Sequence, residues 1–278
     1  MARRSSVRNW GEYLAARAVL ANPGLAGFAV RMLDGAAPRL RRVGVENLRA
    51  AGLPESLVDG VFENVARVVG MFARFPRVNA GNVREFIRYD GFEHYEEAKR
   101  RGRGVLIATA HLGNWEFSAF AHALMTEPMW VMVRPLDNPL IDAMVARYRS
   151  MSGNRVVEKK EFLRGVLKAL KRNEAVGILI DQNAAEDAVF VDFFGRKAAA
   201  AAGFARLAHH TGATVLPGYA LWNGEEGRYV LRFDAPVEMT GDVQADTQRL
   251  HSHLEEVIRR HPDQWLWIHR RWKSQPEG

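Results

Sequence analysis

Hydrophobic periodicity changes along the chain near residue 100. Before that point apolar residues recur at helical spacing. Leu25, Phe28, Ala29, Met32 and Leu33 fall at i, i+3, i+4, i+7 and i+8, one face of an amphipathic helix after the Pro23-Gly24 break. Pro54-Glu55-Ser56 opens a longer pattern carrying Leu57, Val61, Val65, Val68, Val69, Phe72 and Phe75, and Pro76 ends it. From residue 104 short apolar runs of the buried-strand kind alternate with helical stretches. The strands expected are Gly104 to Ala110, Trp130 to Val133, Arg155 to Val157, Ala175 to Ile180, Thr214 to Leu216 and Tyr229 to Phe233. The helices between and after them are Trp115 to Met125, Leu140 to Met151, Phe162 to Leu170, Ala200 to His210 and Ala245 to Arg260.

Such alternation predicts an α/β fold: a mainly parallel or mixed central sheet flanked by helices, with a helical N-terminal region. The expected division is 1–100 for the helical region and 101–278 for the α/β core. In sheets of this kind the site lies beyond the carboxyl ends of the strands. The polar residues after each apolar run therefore carry the functional question.

Composition narrows the chemistry. The chain has 278 residues and no cysteine, which excludes a thiol nucleophile, disulfides and Cys-ligated zinc. A net charge of +7 calls for an anionic partner, whether nucleic acid, an anionic bilayer face or a phosphorylated substrate. The uncharged run Ala18 to Val30 is 13 residues long and broken by Pro23-Gly24. A spanning helix needs about 20 apolar residues, so the run is too short to cross a bilayer. The amphipathic face at Leu25 to Leu33, flanked by Arg31, Arg39, Arg41 and Arg42, suits either a membrane surface or docking on the protein's own core.

Strand ends carry ionisable groups in His111-Leu-Gly-Asn-Trp-Glu116, in Arg134-Pro-Leu-Asp-Asn-Pro139 and in Asp181-Gln182-Asn183. On one helix, residues five apart diverge by about 140°. His111 and Glu116 meet only if His111 sits in the turn before the helix, which Gly113 permits and Asn114 would cap. A histidine held by a carboxylate is a general base at neutral pH. No serine stands in a Gly-x-Ser-x-Gly setting, so the group activated would be an outside hydroxyl. The plainer reading is a histidine in a turn and a glutamate at the surface. His209-His210 and His251-x-His253 do not share a helical face, so no metal is expected. Neither a Walker loop nor a dinucleotide fingerprint occurs, and no cofactor is expected.

The His-x-x-x-x-Glu motif after an apolar strand resembles the glycerolipid acyltransferase superfamily. The fuller string ATAHLGNWE resembles the branch of bacterial lipid A lauroyl and myristoyl acyltransferases and mycobacterial phosphatidylinositol mannoside acyltransferases. Val45 to Leu48, Val133 to Leu140, Ile180 to Gln182, Phe193 to Lys197 and Pro262 to Lys273 agree in order, across nearly the whole chain. The resemblance implies that His111 deprotonates an acceptor hydroxyl, with Glu116 as its catalytic partner. The hydroxyl then attacks the thioester of acyl-carrier protein or acyl-CoA directly. It places Arg134 at a phosphate or acceptor, where the residue alone reads equally as a surface ion pair. Asp181 would organise Arg134 or the acceptor, or cap the next helix. Asn114, Gln182, Arg270 and Arg271 complete the expected substrate-binding set.

In the tail, Arg270, Arg271 and Lys273 alternate with Trp265, Trp267 and Trp272. The mixture suits a lipid headgroup interface, or a tail packed on the core with its charges solvated. The resemblance thus implies an anionic glycolipid acceptor of the lipid A type, a peripheral or monotopic place on the cytoplasmic face of the bacterial inner membrane, and no nucleic-acid partner. Family members often carry an N-terminal spanning helix, and the corresponding segment here is short and interrupted. Another glycolipid or phospholipid acceptor, thioester hydrolysis, and a non-catalytic anion-binding module are the alternatives.

Overall fold

In the computed structural model, residues 2–184 and 186–276 are described. Three helices open the chain: α1 (Ala2–Ala21), α2 (Leu25–Ala36) and α3 (Pro38–Ala50). The long α4 (Leu57–Phe72) and the short α5 (Val83–Phe86) follow. A strand, β1 (Ile87–Asp90), comes next, inside the stretch that periodicity reads as wholly helical. Then come α6 (Phe92–Arg100), β2 (Val105–Thr109), α7 (Trp115–Met125), β3 (Trp130–Val133), α8 (Pro139–Ser150), β4 (Arg155–Glu158), α9 (Lys159–Lys171) and β5 (Ala175–Leu179). The chain continues through β6 (Ala188–Phe193), β7 (Arg196–Ala201), α10 (Gly203–Thr211), β8 (Thr214–Asn223), β9 (Arg228–Phe233) and α11 (Val243–Arg260).

Among the described residues, seven strands form one sheet in the order β1-β9-β8-β2-β5-β3-β4. The run from β8 to β4 is parallel. β9 returns antiparallel to β8 and pairs in parallel with β1, so the sheet is mixed, as expected. Periodicity does not mark β1, because its Ile87-Arg-Tyr-Asp90 is short and half-exposed. Its strand character comes from pairing with β9, 142 residues ahead at the Ile87↔Tyr229 contact, by subtraction of the two numbers.

Alternation along β2 sorts its side chains between two cores. Leu106 and Ala108 face the core built with α9, α10, α11 and the first turns of α4, whereas Val105 and Ile107 face the core built with α6, α7 and the last turn of α4. Two helix starts are capped by asparagine. Asn114 Oδ1 accepts from Phe117 N at α7, and Asn138 Oδ1 accepts from Leu140 N and Ile141 N at α8.

The expected helix from Ala200 begins at Gly203 instead, and the preceding alanines belong to β7. Ala198, Ala199 and Ala200 are fully buried opposite Val191, Phe190 and Val189 of β6, respectively. Tertiary contact overrides alanine's helix propensity here. The turn is a two-residue loop with both central residues in the left-handed region, Phe194 at φ 54° and Gly195 at φ 70°. Phe194 is no usual turn residue, but its ring is needed in the core, against Trp265 and Trp267.

α2 packs on α4 through its other side, and most of the apolar face that the sequence marks is uncovered. Val30 is buried, whereas Phe28 is 64% exposed and Met32 57% exposed, with Leu25 beside them at 40%. Trp10 and Leu14 of α1 are exposed too. Among the described residues no helix is long and apolar enough to cross a membrane.

Candidate active site

β2 and β5 end side by side, and each delivers one residue just beyond its carboxyl end. The register runs from Val105↔Ala175 to Thr109↔Leu179, and Ile180 N donates to Thr109 O. His111 and Asp181 follow. His111 Nδ1 lies 2.9 Å from Asp181 Oδ1, and the His111 backbone N–H donates to Asp181 Oδ2, also at 2.9 Å. Trp265 Nε1 donates to the same Oδ2 at 2.9 Å. The carboxylate that holds the imidazole is therefore Asp181, not Glu116, a correction to the sequence expectation. A carboxylate so placed fixes the proton on Nδ1 and leaves the lone pair on Nε2.

The turn between His111 and α7 requires its glycine. Gly113 sits at φ 62°, and a Cβ there would lie 2.1 Å from Ala220 O. Gly113 N donates to Gln264 O, and Leu266 N donates to His111 O. The C-terminal tail thus laces the turn from behind, and Trp115 meets the His111 ring edge-on at 5.2 Å.

Burial is the largest influence on both members of the pair and opposes charge on each. Their mutual attraction prevails. His111 titrates above its usual value because Asp181 faces it, with a smaller push from Glu116. Asp181 sits below the usual carboxylate range, held there by His111 and, more weakly, by His269 and the Trp265 hydrogen bond.

Glu116 starts α7 and turns to α8, where Arg149 Nε and Nη2 grip its two oxygens at 2.8 and 2.5 Å. Burial alone would depress Arg149, but the Glu116 carboxylate raises it. Both line a slot between α7 and the sheet. Trp115, Ala119 and His122 form its roof, and Thr109, Gly177, Leu179, Val131, Val133 and Gly218 its floor. The walls are mainly apolar, and the free space is about 60 Å³. Deep in it, burial pushes the His122 ring down to about 4 and keeps it neutral.

The remaining expected residues separate. Asn114 is fully buried as a helix cap. Arg134, Gln182 and Arg270 are exposed. Arg271, expected at a headgroup interface, is fully buried: Nη1 donates to Ala199 O and its guanidinium stacks on Phe193. Trp265, Trp267 and Trp272 are buried with it, so the tail packs on the core. Arg149 and Trp265 join the site only in three dimensions. Trp265 lies within the Pro262 to Lys273 motif, but nothing in local spacing assigns it to Asp181. Arg149 carries no sequence signal, because its role depends on how α8 crosses α7.

A histidine–aspartate pair at parallel strand ends, open on one nitrogen and set beside an apolar slot, is an arrangement suited to acid–base chemistry on a substrate with a hydrocarbon part. Residues 49–274 match the model of the bacterial lipid A biosynthesis acyltransferase family. The chain belongs to that family and is an acyltransferase. It is similar to a lipid A biosynthesis acyltransferase of Haemophilus influenzae, at 27% identity over 81% of this chain and 71% of that protein. The lipid A biosynthesis lauroyltransferase of Escherichia coli (strain K12) is 31% identical over 68% of this chain, which spans 62% of that relative. A phosphatidylinositol mannoside acyltransferase of Mycobacterium tuberculosis is 27% identical over 97% of this chain and 91% of its own length.

Proposed function

We propose that the enzyme moves a fatty acyl group from a thioester donor, acyl-carrier protein or acyl-CoA, to a hydroxyl of an anionic glycolipid. The observation that carries this reading is the His111–Asp181 pair beside the apolar slot. His111 Nε2 takes the proton of the acceptor hydroxyl. The oxygen forms a bond to the thioester carbonyl carbon, the carbon–sulfur bond breaks, and the departing thiolate takes the proton back from His111. Asp181 stabilises the imidazolium in between. The Glu116–Arg149 pair sits on the slot wall, where the guanidinium can offset charge growing on the carbonyl oxygen.

The slot would hold the acyl chain. Exposed Arg134, Gln182 and Arg270 supply polar contacts for the acceptor. Lipid A precursors and phosphatidylinositol mannosides are the two acceptor types that the relatives' names support. Residues 1–100 would bring the enzyme to the cytoplasmic face of the inner membrane. The uncovered Phe28 and Met32 of α2, with Trp10 and Leu14 of α1, support attachment to its surface.

The test is transfer of a labelled acyl chain to lipid extracts, followed by mass spectrometry, for the wild type and His111→Ala. Gain of one acyl chain by a glycolipid, lost in the variant with its fold intact, is the expected result. Full activity without the imidazole would reject the mechanism. Release of free fatty acid that no added glycolipid captures would make the protein a thioester hydrolase.

A further inference from the structure

We infer that Trp265 is a positioning residue for the acid–base pair: its indole N–H pins Asp181 against His111 and tempers the pull of that carboxylate on the ring proton. The inference rests on the reading of His111 as the base and names a group that acts on it from behind.

The geometry is closed on every side. Asp181 Oδ1 is taken by the His111 ring and Oδ2 by the His111 backbone N–H and the Trp265 indole. Among the described residues, His111 and Trp265 are the only donors of hydrogen bonds to this carboxylate. With both oxygens engaged, it cannot rotate away from Nδ1 without breaking two other bonds. Trp265 is itself immobile. It is 1% exposed, it forms an isolated antiparallel bridge with Leu112, and the next residue's N–H donates to His111 O. One short piece of tail therefore holds the base by its backbone and its carboxylate by a side chain.

A donor to a carboxylate makes a charge-assisted bond and draws off negative charge. With the indole N–H removed, that charge leans more on the imidazole, and the ring holds its proton to higher pH. Other ionisable groups surround the pair. Glu116 and Arg149 act on His111 from α7 and α8. His269 and Arg271 of the tail and His251 of α11 feel Asp181, as does Tyr219 of β8. None of these donates to Asp181, so the indole can be tested separately.

Trp267 is the control. Its ring stands 4.6 Å from that of Trp265 at 86°, equally buried, but its Nε1 donates to Pro262 O. Trp265→Phe and Trp267→Phe remove similar packing and differ in what they do to Asp181. The readouts are the acid limb of the kcat profile and the titration of the His111 ring nitrogens by NMR. Trp265→Phe is expected to move both upward by about half a pH unit, and Trp267→Phe to leave both in place. Equal movement in the two variants, or none in Trp265→Phe, overturns the inference. A ring titration that moves without the rate profile upholds the Trp265 link and rejects His111 as the base. Fluorotryptophan incorporation, which strengthens indole donors without removing them, covers the case in which Trp265→Phe fails to fold. It is expected to move the ring titration downward, and an unmoved titration overturns the inference.

Discussion

Glu116 presents both carboxylate oxygens to Arg149 on the wall of the slot, and no hydrogen bond joins it to His111 among the described residues. The two roles open to this pair, support for α7 against α8 and charge compensation in the reaction, separate by mutation. Glu116→Gln leaves Arg149 half-buried without its partner. It is expected to lower the unfolding free energy by about 1–2 kcal/mol and acyl transfer at least tenfold. The double variant Glu116→Gln, Arg149→Met removes the stranded charge. It should recover most of the stability in urea denaturation and none of the rate. Recovery of both would make the pair purely structural.

Asp181→Asn keeps the shape and removes the charge. It also permits the wrong ring tautomer, for which a loss of roughly 10³ to 10⁴ in kcat is expected. The sign of the pH effect follows from the raised His111. Catalysis needs the neutral ring, so wild-type activity rises with pH through a midpoint above the usual histidine value. Without the carboxylate the residual activity has its midpoint lower. A rate profile that stays put in Asp181→Asn counts against Asp181 as the partner of the base.

The same pair links folding to pH at both ends. The raised His111 contributes stability that is full below its unfolded pKa and is lost as pH climbs through its folded value. The depressed Asp181 contributes stability present above the ordinary carboxylate range and lost as pH falls through its folded value. His111→Gln is therefore expected to flatten stability against pH on the neutral-to-alkaline side. Thermal melts across pH check this.

Met129 lines the slot at the start of β3, and its Cε lies 3.1 Å from where a Cβ on Gly177 would be. If the acyl chain fills the slot, Met129→Ala extends it and Gly177→Ala shortens it. The preferred donor should lengthen by about two methylenes in the first and shorten in the second, each methylene being worth about 0.8 kcal/mol of burial. Competition between acyl donors of graded length reads this directly. Unchanged preference in both variants would put the chain elsewhere.

Phe28→Glu with Met32→Glu tests the uncovered face of α2. Each apolar side chain contributes about 1.5–3 kcal/mol when buried, so binding to anionic vesicles should fall more than tenfold. Secondary structure should not change, because both side chains are mostly exposed. Equal sedimentation with vesicles would assign attachment to another surface.

Elements with their own periodicity were legible in the sequence. The helix Trp115–Met125 and the strand Trp130–Val133 fall at the expected residues. β1, the β6–β7 hairpin and the true start of α10 were not legible. Their conformations are set by partners far along the chain: β9 for β1, and the tryptophan tail for the Phe194 turn. At the site, His111 is legible by its place after a strand and Asp181 by the same rule three strands later. Which carboxylate the ring would take was beyond any local pattern.

By itself the sequence determined the alternation of strands and helices, the sheet edge at which ionisable groups collect, the absence of thiol chemistry and the motifs of the family. Tertiary structure alone decided that Asp181, 70 residues away, rather than Glu116, five residues on, binds the imidazole. It also turned Arg271 and the tryptophans inward and left the face of α2 uncovered. The physical reason is common to all of these. Periodicity reports which residues can be buried, whereas a hydrogen bond between distant residues depends on strand order and register, which no single segment encodes.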